Sequence, residues 1–241
     1  MHKSLYDRFI PDPRAAEVKA ELIEPSDRIL TPATLITAIR PILGAMATKK
    51  LLAGEKGVFK LTALMGLTDF ADGKLSRWID KHYPESTYGT SKFGASADTM
   101  ADVTSLAPVG LSMVVAKRIP ITAKLGIGAV LSQEGSKGGW AFNANNQYKE
   151  AGGEGQLFIQ PTKGGKAAMA EKFTSFGLAA LANECENPIV RSSLGVASFY
   201  FGVTGALRGN EAVGQYKQEA AQLIGQLQTS SDMPEQTIVL S

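Results

Sequence analysis

The chain has 241 residues, enough for one domain or a single bundle of membrane spans. Its 25 Lys+Arg against 23 Asp+Glu give no global basic field, which argues against a nucleic-acid partner. The single cysteine, Cys185, excludes an internal disulfide, and the two histidines, His2 and His82, lie too far apart in sequence to read as a ligand pair.

The chain begins M-H-K-S-L-Y-D-R-F-I-P-D-P-R, with charges and prolines where a signal peptide would have its apolar core. Residues 1–30 therefore read as a polar, partly helical arm. Six weakly apolar segments follow, at 32–48, 57–79, 95–116, 119–132, 171–183 and 188–208. Each is interrupted by polar residues, and the mean hydropathy of the chain is only −0.03. No stretch reaches the roughly 20 apolar residues of an ordinary span. Hydropathy alone leaves two readings open, six short spans around a polar cavity or a soluble all-helical protein. Small residues favour the bundle in lipid, where they let helices approach closely. Gly44, Ala45 and Ala47 line the first segment, and Gly195, Ala197, Ser198, Gly202 and Gly205 the last.

Between the fourth and fifth segments, the glycine-rich stretch at 133–160 reads as a mobile excursion from the bilayer. His82, in the polar run Lys81-His82-Tyr83-Pro84, reads as a loop residue. Residues 210–241 are polar, with a surface helix expected over Glu211 to Leu227 and a disordered end. The domain reading is thus an arm at 1–30, a membrane domain at 31–209 and a polar tail at 210–241. With the N-terminus inside, Lys137, Lys149, Lys163 and Lys166 fall on the cytoplasmic side, as the positive-inside tendency requires. Lys49, Lys50, Lys56, Lys117 and Arg118 then lie outside and run against it.

The chemistry concentrates between Asp69 and Asp102. Asp69 and Asp72 are three residues apart, and Asp98 and Asp102 four, so each pair shares a helix face. Two antiparallel helices can then aim four carboxylates at one another. Such a cluster repels itself unless it is protonated or holds cations. Mg²⁺ or Mn²⁺ suits it, because hard cations prefer carboxylate oxygens and bridge phosphates. A pair of ions about 3.5–4 Å apart could clamp a pyrophosphate. Gly73 admits a close approach to the helix, and Arg77 offers a bidentate phosphate contact. A lone D-x-x-D is more often a solvated helix face. These aspartates instead lie among Leu64, Met65, Leu67, Phe70, Val103 and Leu106, in the most apolar parts of the chain.

The pattern Asp69, Asp72, Gly73, Ser76, Arg77, Gly94, Asp98, Asp102 resembles the signature of the CDP-alcohol phosphatidyltransferases, D-x-x-D-G-x-x-A-R followed by G-x-x-x-D-x-x-x-D. Ser76 replaces the family's alanine, and the spacer from Trp78 to Phe93 is longer than usual, lengthening the expected loop between the two helices. Pro32 to Arg40 resembles the family's first-helix P-N-x-x-T-x-x-R with Thr34 in place of asparagine. Pro161 to Lys166 resembles its basic P-x-x-x-G-K stretch.

The resemblance implies an all-α bundle of six transmembrane helices with a polar, amphipathic N-terminal arm. It implies two divalent ions, Mg²⁺ or Mn²⁺, held by Asp69, Asp72, Asp98 and Asp102, with Asp102 as the base that deprotonates the acceptor. The CDP-lipid donor would contact Thr34, Thr37, Gly73, Arg77, Ser91 and Gly94. Ser91 reads equally well as a helix cap. Lys163 and Lys166, with Arg118 or Arg191, are the expected contacts for an anionic acceptor. Glycerol 3-phosphate is the acceptor chosen on base rate; inositol phosphate, phosphatidylglycerol and other alcohols stay open, as does a soluble magnesium–pyrophosphate helical enzyme. The implied setting is the bacterial cell membrane with the site facing the cytoplasm, membrane lipids as partners, and a homodimer.

Overall fold

The computed structural model describes residues 29–83, 88–89, 91–153, 157, 159 and 162–231; the arm at 1–28 and the end at 232–241 lie outside them. The described elements are seven α-helices. They are α1 (Pro32–Thr37), α2 (Ile39–Ala53), α3 (Val58–His82), α4 (Lys92–Val115), α5 (Ile121–Glu150), α6 (Lys163–Glu184) and α7 (Pro188–Ser231). The all-helical expectation holds, and among the described residues no helix is long and apolar enough to cross a membrane. The reason is visible in α3, where Lys60, Asp69, Asp72 and Lys74 interrupt the apolar run.

Local chemistry sets the boundaries. Thr31 caps α1 by accepting the Thr34 N–H at 3.1 Å. The interruption at Ala38 follows from Pro41, whose ring would collide with the carbonyl four residues earlier. The α2 end closes in a Schellman turn: Glu55 N–H donates to the Lys50 carbonyl at 2.9 Å while Gly54 takes a left-handed φ of 68°. Helix α5 ends in the same way, with Gly153 N–H on the Tyr148 carbonyl and Gly152 at φ 89°.

The chain divides into two compact units. The smaller comprises residues up to Arg40 with Leu67–Ala101, and so contains α1, the C-terminal part of α3 and the start of α4. The larger comprises Pro41–Gly66 and residues from Asp102 onward. Its core includes Leu51, Met65, Val109, Met113, Ile127 and Phe176. Helices α5 and α7 meet backbone to backbone, since a Cβ on Gly202 would stand 2.6 Å from the Gly126 carbonyl oxygen. Helices α6 and α7 are joined by reciprocal bonds. Ser175 Oγ donates to the Ser198 carbonyl at 2.8 Å and Ser198 Oγ to the Ser175 carbonyl at 2.9 Å.

Three sequence expectations change. The glycine-rich stretch from 133 continues α5 as far as Glu150. Mid-helix glycine costs about 1 kcal/mol relative to alanine, yet the stretch is helical and has Gln133 and Ala144 buried. The last span and the surface helix are one helix, α7. His82 ends α3, with its ring 4.8 Å from that of Trp78 and its Nδ1 2.9 Å from the Trp78 carbonyl. Much of the long spacer is thus helical: Trp78 to His82 belong to α3, and Lys92 and Phe93 to α4.

Candidate functional site

Within the smaller unit, Asp69 and Asp72 project from α3 and Asp98 from α4. Carboxylate oxygens of the three lie within 4.8 Å of one another. The i, i+3 spacing that aligned Asp69 and Asp72 therefore acts as expected, and Asp98 joins them. The side chains are graded in exposure, 8 % for Asp72, 28 % for Asp69 and 42 % for Asp98. The cluster is closed on the Asp72 side and open on the Asp98 side.

Arg40 holds the three together. Its side chain is 0 % exposed, and its guanidinium donates to Asp69 Oδ1 at 3.1 Å, to Asp72 Oδ2 at 2.5 Å and to Asp98 Oδ1. Thr37, one turn before Arg40, donates its hydroxyl to Asp72 Oδ2 at 2.8 Å and accepts from Arg40 Nη2 at 3.3 Å. The sequence placed Arg40 in an apolar segment and in the first-helix motif without assigning it this role. The signal was present, since an ionisable group inside an apolar segment generally faces partners.

The remaining donor-site residues form two groups. Thr34, Ser91 and Gly94 come together: a Cβ on Gly94 would lie 2.7 Å from Ser91 Oγ and 3.5 Å from Thr34 Oγ1. Ser91 Oγ accepts the Gly94 N–H at 2.8 Å and so caps α4, while the Thr34 hydroxyl bonds that of Thr31 at 2.8 Å. Gly73 and Arg77 form the second group, one turn apart on α3, with Arg77 Nη1 3.5 Å from where a Gly73 Cβ would stand. Thr37 is directed at Asp72.

Asp102 lies one turn beyond Asp98 along α4, half-buried, and falls in the larger unit. In that unit Lys163 and Lys166 occupy the exposed first turn of α6, whose N-cap Thr162 accepts the Gly165 N–H at 3.1 Å. Arg118 and Arg191 do not join them. Both donate to the Cys185 carbonyl beyond the other end of α6, about 30 Å away at 1.5 Å per residue. The sequence reading missed a buried cation here. Lys172, 2 % exposed, donates to Gln133 Oε1 and Glu134 Oε1 on α5.

Three converging carboxylates against one guanidinium leave two formal negative charges. Hard oxygen donors with that deficit can hold a divalent ion of the Mg²⁺ or Mn²⁺ kind. No curated protein and no solved structure matches the chain. The sequence model of the family CDP-alcohol phosphatidyltransferase matches residues 30–204, from the start of α1 into α7 and across the whole aspartate motif. The chain therefore belongs to the CDP-alcohol phosphatidyltransferase family, transferases of substituted phosphate groups in phospholipid biosynthesis.

Proposed function

We propose that this protein transfers a phosphatidyl group from CDP-diacylglycerol to glycerol 3-phosphate, releasing CMP. The observation that carries this reading is the convergence of Asp69, Asp72 and Asp98 from two helices, the first of which also bears Gly73 and Arg77 and the second Gly94, with Ser91 capping it. Divalent ions, two in this reading, would neutralise the pyrophosphate and stabilise the departing CMP. Asp69, Asp72 and Asp98 would hold them, with Asp102 contributing to the second. Arg77 binds phosphate, and Gly73 and Gly94 leave room for the nucleotide beside Thr34, Thr37 and Ser91. The acceptor hydroxyl attacks the lipid-side phosphorus as the bond to the CMP oxygen breaks. Asp102 takes the hydroxyl proton, and Lys163 and Lys166 bind the acceptor's phosphate.

The same reading places residues 31–209 in a bacterial cell membrane as six spans, with the site toward the cytoplasm and two copies associating. Support comes from the larger unit, where Ile42, Leu111, Leu125, Ile189, Val196 and Leu207 are each more than half exposed. Water rarely faces so much large apolar surface, whereas lipid tails accept it at little cost. The close Gly126–Gly202 approach and the Ser175–Ser198 bonds belong to the same style of packing.

The test incubates purified protein with CDP-diacylglycerol, Mg²⁺ and a panel of glycerol 3-phosphate, inositol phosphate and phosphatidylglycerol. CMP release is expected with glycerol 3-phosphate, lost in EDTA and restored by Mg²⁺ or Mn²⁺. Release with another alcohol replaces the acceptor; no release with any alcohol sinks the reading. Recovery of the protein in the soluble fraction without detergent overturns the membrane placement.

A further inference from the structure

We propose that Arg40 is a resident counter-cation of the carboxylate trio that competes with divalent metal for it, and so sets how tightly the metal is held. The proposal rests on the metal-binding reading above. Arg40 is wholly buried and bonds one oxygen from each of Asp69, Asp72 and Asp98. A guanidinium cannot lose its charge in a protein, so it neutralises one of the three negative charges at all working pH values. That accounts for how three carboxylates can sit within 4.8 Å of one another around a single guanidinium.

The bonds that hold the trio together also use it up. Oxygens engaged by Arg40 have lone pairs committed to N–H donors, and an entering cation meets a positive charge already in place. Thr37 adds a further donor to Asp72 and fixes Arg40 Nη2 from the other side. A metal ion that takes the same oxygens displaces part of the Arg40 fork, and one that takes the second oxygens is repelled by its charge. Arg40 acts through the carboxylates, which makes it a positioning residue.

Two opposing effects follow from its removal. The metal-free trio loses its only described cation and repels itself, so the fold weakens without metal. The same loss deepens the negative charge and frees oxygens, so metal binds more tightly. A purely structural brace would produce the first effect alone, and metal affinity would fall with the disordered site.

The experiment follows Mn²⁺ binding by the loss of its free electron-spin signal, and thermal unfolding with and without Mn²⁺, in full-length protein in detergent. Arg40→Gln is expected to melt below wild type in EDTA, to recover in Mn²⁺, and to bind Mn²⁺ about tenfold more tightly, a coupling of ordinary size. Arg40→Lys keeps the charge but cannot span three carboxylates; it is expected to bind Mn²⁺ more tightly than wild type by a smaller factor, and it decides the matter if Arg40→Gln does not fold. Equal or weaker Mn²⁺ binding in the folded variants overturns the proposal. Wild type and variants all failing to bind Mn²⁺ would instead overturn the metal-binding reading beneath it.

Discussion

The Thr37 hydroxyl donates to Asp72 Oδ2 at 2.8 Å, joining the last residue of α1 to the most buried carboxylate of the trio. Residues 35 positions apart in sequence are thereby fixed on one oxygen. Thr37→Val keeps the shape and removes the donor. Asp72 Oδ2 keeps Arg40 as a donor, so the loss is one hydrogen bond to a charged group, about 1.5–3 kcal/mol. The variant should melt lower and need less Mg²⁺ for half-maximal CMP release, because an Asp72 oxygen loses a competing donor and Arg40 is less firmly fixed. Thr37→Ser should behave as wild type, and a Thr37→Val enzyme with unchanged Mg²⁺ dependence would count against the link.

Asp98 and Asp102 are expected to separate by phenotype. Asp98 belongs to the converging trio, whereas Asp102 lies one turn further along α4. Asp98→Asn should lose both Mn²⁺ binding and CMP release. Asp102→Asn should lose about 10²–10⁴-fold in CMP release, the usual contribution of a general base, while binding Mn²⁺ at the trio. Wild-type turnover by Asp102→Asn would remove the proposed base.

Two glycines make opposite predictions. Gly202→Ala puts a methyl 2.6 Å from the Gly126 carbonyl oxygen, where only backbone could yield, so it should cost about 1–3 kcal/mol by overpacking. Gly128→Ala meets nothing within 4 Å and should stabilise α5 by about 0.5–1 kcal/mol. Thermal unfolding of both variants in detergent checks the pair, and a similar response from each would contradict the packing described.

Lys172 should be structural. Removing one partner of a buried ion pair costs about 3–5 kcal/mol, because the other charge stays behind. Lys172→Met should approach that loss, with Lys137, 3.6 Å from Glu134, softening it. The double variant Lys172→Met, Glu134→Leu should recover much of the stability. Melting temperatures of the single and double variants decide it, and additive losses would deny the pairing.

Spacing was legible in advance wherever local geometry decided the outcome. The three-residue step from Asp69 to Asp72 fixed a shared face once α3 formed, whereas the segment read as one piece at 32–48 is two helices, broken at Ala38. The length of α5 was not legible. Its glycines argue for a loop, and the contact that ties this stretch to the rest of the larger unit, Lys172 on Gln133 Oε1 and Glu134 Oε1, comes from far along the chain. His82 was read as a loop residue, although its contact with Trp78, four residues back on the same helix, is local.

The sequence by itself determined the family, the helical class and the identity of the acidic residues, because these depend on residue type and on repeats of a few positions. Only the tertiary structure decided that Arg40 sits among Asp69, Asp72 and Asp98, that Thr37 faces Asp72, and that Arg118 and Arg191 stand apart from Lys163 and Lys166. Those facts depend on where separate helices cross. Crossing is set by summed packing over many residues, which no local spacing encodes.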